Sequence, residues 1–151
     1  MHTRTIYLLT LAGAGASLAH HLDHAIRGNA IGWPLTGEVN AFTASLAVYP
    51  IIATGLILYR AGWVGPGFWA LVSGGGAAFV SAVHFGPFAV EPPHLIHGGY
   101  EQPLVGWLAF GWVVGFAALL AVTSVYETRL WFGQRQARRT DAEAVTDGGA
   151  R

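Results

Sequence analysis

The chain contains no cysteine and no lysine, and few of its residues are charged. Without cysteine there is no disulfide framework, no thiolate metal site and no cysteine nucleophile. All eight basic residues are arginine, balanced by eight carboxylates, so no basic field is available for nucleic acid. Charged residues make up 11% of the 151 residues, against roughly 25% in soluble domains. This composition disfavours a soluble globule and a nucleic-acid-binding protein.

Long apolar segments dominate the chain instead. Four segments reach the ~20 predominantly apolar residues that a membrane-spanning helix needs, at about residues 6–25, 41–59, 66–85 and 103–122. We therefore predict an all-α, integral membrane four-helix bundle over residues 1–133, with a long loop between the third and fourth spans. From Gln134 onward the residues are charged and small, which predicts a disordered tail over 134–151.

The first predicted span has an alternative interpretation as a secretory signal. Arg4, the apolar segment after it and the run Ser17-Leu18-Ala19, with small residues at its first and third positions, resemble a signal peptide with its cleavage site. Cleavage there would leave three spans and a new amino terminus at His20.

Three features within the predicted spans concern packing. Pro50 predicts a kink in the second span, because proline removes a helical hydrogen bond. The triplet Gly74–Gly76 predicts either close helix contact or room for a flat cofactor or lipid-like substrate. Gly111 and Gly115 form a GxxxG motif, which is typical of homo-oligomers and of tight packing within one bundle.

The arginines predict the orientation of the chain in the membrane. If the amino terminus is cytoplasmic, the inner segments contain seven arginines and the outer segments contain only Arg27. Because Lys and Arg concentrate on the cytoplasmic side, both termini are predicted to be cytoplasmic in a multi-pass protein of the plasma membrane. Every histidine except His2 then lies at the outer face.

Polar side chains share one face at the end of the first span. At 100° per residue, a stripe about 100° wide contains four of them: His20, Asp23, His24 and Arg27. His21 lies off this stripe. His84 ends the third span at the same predicted depth, and ionisable groups inside a membrane turn towards the bundle interior. We expect the two helices to face one another here, with Asp23 and Arg27 forming an ion pair or a clamp for an anion.

Histidines at positions i and i+4 of a helix can reach one metal ion, as in helical zinc sites. The predicted ligands are His20, His24, His84, Asp23 and Glu91. Secondary candidates are His94, His97 and His21. Nitrogen and oxygen ligands without sulfur suit Zn, Fe or Cu. Glu91 or Asp23 is available as a general base in a small membrane metalloenzyme or metal-handling protein.

Several alternatives remain open at this point. A haem b between His84 and His20 or His24, or a bound quinone, would make the chain an electron-transfer subunit. A transporter is disfavoured, because the inner halves of the predicted spans contain no ionisable residue. The chain also fits a non-catalytic subunit of a larger membrane complex. In that case the polar end of the first span is simply solvated, with its histidines reaching the lipid headgroups. The sequence contains no P-loop, no GxSxG and no dinucleotide-binding motif, so none of these motifs favours another enzyme class.

Overall fold

The structure, a computed structural model, describes residues 2–27 and 39–148 of the chain. Over those residues it is helical, with no strand. Six helices follow one another: α1 His2–Arg27, α2 Ala41–Ser45, α3 Val48–Arg60, α4 Pro66–Phe85, α5 Pro93–Gly98 and α6 Pro103–Gly148. The all-α prediction is therefore confirmed.

Three segments of the described chain are long and apolar enough to cross a membrane: Ala41–Arg60, Pro66–Phe85 and Pro103–Glu143. They coincide with the second, third and fourth predicted spans. The first predicted span lies within α1, which is 26 residues long but is not among the three. Its last two turns contain His20, His21, Asp23, His24 and Arg27, and these polar side chains lower the hydropathy of the helix.

The second predicted span is interrupted one turn before Pro50. Proline has no amide hydrogen, and its ring crowds the carbonyl group four residues earlier, here that of Leu46. The amide of Ala47 donates to the carbonyl oxygen of Ala44 and that of Tyr49 to Leu46, both at 3.2 Å and both three residues back. These tighter bonds separate α2 from α3, so the disruption predicted from Pro50 is present.

The core lies where α4 packs against α6, with α5 covering one end of it. Its buried members are Val80, Ile96, Val113 and Phe116. The glycine triplet of α4 contributes to this packing. A Cβ atom on Gly74 would stand 2.8 Å from Ser124 Oγ, and one on Gly76 would stand 3.2 Å from Leu120 Cδ1. The predicted close helix contact is therefore present at two of the three glycines, while Gly75 faces open space.

Two further sequence predictions concern α6. Cβ atoms on Gly111 and Gly115 would meet nothing within 4 Å, so the GxxxG motif does not pack within the described chain.

The helix continues as far as Gly148, through the segment for which composition predicts disorder. Residues 134–143 are exposed there. They include alanine, arginine, glutamine and glutamate, which have high intrinsic helix propensity, and this accounts for a helix without tertiary packing.

Gly106 is where α5 approaches α6 most closely. A Cβ atom at this position would overlap the carbonyl oxygen of His97, which belongs to the backbone and cannot rotate away. We expect Gly106→Ala to displace α5 and to lower the free energy of unfolding by about 1–3 kcal/mol, the usual cost of overpacking. Thermal unfolding of the protein in detergent measures this loss.

Gly133→Ala is the matched control on the same helix, because a Cβ there meets open space. It should leave stability unchanged or raise it by up to about 1 kcal/mol, since alanine favours a helix over glycine. Equal effects of the two substitutions would contradict the close approach of α5.

Candidate metal centre

Three histidines from two helices converge at one point. His20 and His24 lie one turn apart on α1, and His84 lies in the last turn of α4. His20 Nε2 lies 3.2 Å from His24 Nε2 and 3.2 Å from His84 Nε2. One nitrogen from each ring lies within 4.8 Å of the other two, and all three residues are buried. The structure thus brings together the three histidines that helical phase and predicted depth singled out.

The spacing of these nitrogens suits a shared ion. Two tetrahedral ligands with metal–nitrogen bonds of 2.0–2.1 Å are separated by about 3.4 Å. The distances of His20 Nε2 to its two neighbours are close to this value. The group can therefore hold a metal ion.

The position of His84 follows from the end of α4. Gly86 precedes Pro87 and adopts an extended conformation, with φ −75° and ψ 167°, because proline disfavours a helical residue before it. The chain then turns back, and the amide of Glu91 donates to the carbonyl oxygen of Val83 at 3.2 Å. His84 is thereby held at the helix terminus, beside the loop that follows.

This loop also orients the His84 ring. His84 Nδ1 lies 3.1 Å from the backbone carbonyl oxygen of Glu91, so Nδ1 carries the hydrogen and donates it. Nε2 is then left with its lone pair directed to the cluster. Metal-binding histidines commonly donate their second ring N–H in this way, which fixes the tautomer.

Glu91, also predicted as a ligand, places a carboxylate directly beside the histidines but is not one of the three grouped ligands. The residue is fully buried. Its Oε2 lies 3.4 Å from His24 Nε2 and 3.5 Å from His84 Nδ1, and its Oε1 accepts from Arg27 Nη1 at 3.2 Å. Burial raises the pKa of the Glu91 carboxyl to about 7, although Arg27 acts in the opposite direction. A carboxyl group with this pKa can accept or release a proton near neutral pH.

Asp23 takes part in a neighbouring network and is not one of the three grouped ligands. Its Oδ2 accepts from Arg27 Nε at 2.9 Å and from Arg27 Nη2 at 2.6 Å. Its Oδ1 accepts from the hydroxyl of Tyr100. The guanidinium of Arg27 also lies over the Tyr100 ring, 4.9 Å from its centroid. The ion pair predicted between Asp23 and Arg27 is therefore present, and it extends to Glu91.

The remaining candidate histidines lie apart from the cluster. His21 uses both ring nitrogens elsewhere, with Tyr49 Oη 2.7 Å from Nδ1 and Ser45 Oγ 2.7 Å from Nε2. His94 is exposed on α5. His97 stacks on Trp107, with ring centroids 4.5 Å apart. The separation of His21 from the stripe agrees with the helical phase.

A cavity of about 380 Å³ extends inward from the histidines between α1, α3, α4 and α6. Its volume is within the range of small-molecule sites. His20, His24 and His84 line one end of it, and we call the opposite end the inner end. Ile51, Leu71 and Phe79 also line it and are exposed, so the cavity opens sideways between α3 and α4. In a bilayer this opening would face the lipid.

Sequence reasoning missed Glu127, which is fully buried on α6 and accepts a 3.0 Å hydrogen bond from Ser73 Oγ on α4. The fourth span was predicted to end near Val122, which placed Glu127 outside the membrane. That boundary led to the statement that the inner halves contain no ionisable residue. The apolar residues after Glu127, Leu130 to Phe132, were the available signal that α6 continues to pack against α4 beyond Val122, and Trp131 does lie against Gly67.

No protein-family model, curated protein or solved structure matches this chain. The site is therefore interpreted from its own geometry and chemistry.

Proposed function

We propose that the chain is a multi-pass membrane protein that binds one transition-metal ion through His20, His24 and His84. The observation that carries this proposal is the convergence of three buried imidazole Nε2 atoms, with His20 Nε2 3.2 Å from each of the others. Burying three imidazoles against one another is costly unless a shared partner satisfies them.

The donor set suits Zn, Fe or Cu, because it contains imidazole nitrogen and no sulfur. Three protein ligands with a fourth position open are typical of catalytic sites, whereas closed four-ligand sites are structural. The cavity gives that fourth position access to a substrate from the lipid. Glu91 is the general base of this proposal, and Asp23 positions Arg27 beside it.

The proposed location is the plasma membrane, with the site at the outer face and both termini in the cytoplasm. Three helices of suitable length and composition support a membrane location. In the proposal, α1 crosses as a fourth span, with its polar end at the metal site. The arginine distribution supports the orientation. The exposed Gly111 and Gly115 leave room for a second copy of the chain or another membrane subunit.

The haem alternative receives less support from the geometry. A haem would be held by two of these histidines with room for the flat ring between their nitrogens. His20 Nε2 and His84 Nε2 lie 3.2 Å apart, and His24 Nε2 lies beside them. Three ring nitrogens this close to one another favour a single shared ion over a porphyrin.

Metal titration of the purified protein tests the proposal. After chelator treatment, the full-length chain in detergent should bind one equivalent of Zn²⁺ or Co²⁺, measured by elemental analysis after desalting. The double variant His94→Ala/His97→Ala should retain the full equivalent, because neither residue belongs to the cluster.

Two results would contradict this proposal. One is the absence of stoichiometric ion from the wild-type chain, and the other is loss of the ion in the His94/His97 variant. An intense Soret absorption band in the natively purified protein would instead favour haem.

A further inference from the structure

The inner end of the cavity contains polar atoms that have no hydrogen-bond partner. Thr10 lies ten residues before His20 on α1, about 15 Å deeper along the helix. Three buried atoms of the described chain that line this end are without partners: Thr10 Oγ1, Trp69 Nε1 and Thr123 Oγ1. Buried polar groups are nearly always hydrogen-bonded, so three orphans in one place indicate a missing partner.

Two of these residues, Trp69 and Thr123, lie beside a hydrogen bond that joins α4 to α6. Trp69 and Ser73 lie one turn apart on α4, and Thr123 and Glu127 lie one turn apart on α6. The hydrogen bond from Ser73 Oγ to Glu127 Oε2 joins the two helices at 3.0 Å. Because Ser73 donates its hydrogen to Glu127, its oxygen keeps lone pairs that can accept another hydrogen bond.

The available donors and acceptors define the chemistry of the missing partner. The indole N–H of Trp69 can only donate, the oxygen of Ser73 can accept, and the hydroxyls of Thr10 and Thr123 can do both. An ammonium group or a bare cation cannot accept from Trp69, and a hydrocarbon can neither donate nor accept. A hydroxyl group does both.

The middle of the cavity is apolar. Between its two polar ends, its lining includes Gly13, Gly76, Val80, Phe116 and Leu120. Such a lining suits an apolar chain or ring system. The sideways opening at Leu71 and Phe79 gives a lipid-soluble molecule a route of access from the bilayer.

We propose that this cavity binds an amphiphile with a hydroxylated head, seated among Thr10, Trp69, Ser73 and Thr123, and an apolar body that extends towards the histidines. Glu127 is a positioning residue in this site, because it fixes the hydroxyl of Ser73. The site does not depend on a metal ion, since none of these residues belongs to the histidine cluster.

Equilibrium binding of radiolabelled dodecanol to the full-length chain in lipid nanodiscs tests this inference. We expect saturable binding of one dodecanol per chain, displaced by unlabelled dodecanol but not by dodecane, which lacks the hydroxyl. Ser73→Ala and Thr123→Val should each weaken binding about fivefold, the effect of one neutral hydrogen bond. Ser81→Ala is the matched control, because Ser81 is exposed on the same helix as Ser73.

The binding should be the same with and without chelator, which separates this site from the metal proposal. Failure of dodecanol to bind saturably would overturn the inference. So would equal displacement by dodecane, a result obtained on the wild-type chain whether or not the variants fold. Wild-type affinity in both Ser73→Ala and Thr123→Val would overturn it too, since the orphan atoms would then be satisfied by water alone.

Discussion

His20→Ala is expected to lower the affinity of the chain for Zn²⁺ or Co²⁺ by more than about 100-fold. His20 Nε2 is the central atom of the cluster, 3.2 Å from the corresponding nitrogens of His24 and His84. Without it, those two rings offer only two ligands. Loss of a residue that merely supports a ligand costs about 10–100-fold in metal affinity, so loss of a ligand should exceed this range. Competition with a chromophoric chelator measures the change.

His21→Ala is the matched control for this substitution. His21 is adjacent to His20 in sequence and is also buried, and its substitution removes the same kind of side chain. It pairs with Tyr49 and Ser45 instead of the cluster, so its loss should leave metal affinity within about threefold of the wild type. Its loss should still lower stability, because two hydroxyl groups lose a partner. Similar losses of affinity in the two variants would contradict the assignment of His20 as a ligand.

The contrast between His20 and His21 shows what the sequence could predict. Helical phase is a local property, so 100° per residue separated His21 from His20 and His24 without any tertiary information. The placement of His84 needed one further step, which was to compare the depths of two predicted spans. Both inferences depend on regular helices, and α1 and α4 are regular over these residues.

The contacts of Glu91 could not be derived in the same way. Glu91 lies outside the helices, and its position depends on the turn that returns the chain to Val83 and His84. The hydrogen bond from Tyr100 to Asp23 likewise joins residues 77 apart in sequence. No periodicity relates such residues. Their approach is determined by the packing of α5 on α6, where Gly106 meets the backbone of His97.

Glu127 illustrates a different case, in which helix packing continues beyond the predicted end of a span. A carboxylate after a long apolar segment is ordinarily assigned to the aqueous side. In the structure it is fully buried and bonded to Ser73 of α4. The hydrogen bond from Ser73 offsets part of the cost of burying this carboxyl group. Hydropathy along the sequence carries no information about a partner on another helix, so it could not predict this burial.

Arg27→Met is expected to lower the free energy of unfolding by about 3 kcal/mol, the lower end of the cost of breaking a buried ion pair by removing one partner. Arg27 donates to both Glu91 and Asp23, and its own side chain is 7% exposed. Methionine retains much of the apolar volume and removes the charge. Glu91, which is fully buried, would then lack its cationic partner. Denaturant titration in detergent micelles measures the loss at about pH 9, where the Glu91 carboxyl, with a pKa of about 7, is ionised in the wild type. The loss should shrink as the pH falls through neutrality, because the unpaired carboxyl of the variant then takes up a proton.

Arg60→Met is the matched control, since Arg60 is exposed at the end of α3, and its effect should be within about 0.5 kcal/mol. The double variant Arg27→Met/Glu91→Gln separates charge from packing. If the cost arises from the unpaired Glu91 carboxylate, neutralising Glu91 should recover a large part of it, and the two substitutions should be strongly non-additive. Additive losses would instead mean that Arg27 acts through Asp23 and Tyr100 alone. The cycle thus determines whether the charge beside the histidines is maintained by Arg27, which the proposed role of Glu91 as a base requires.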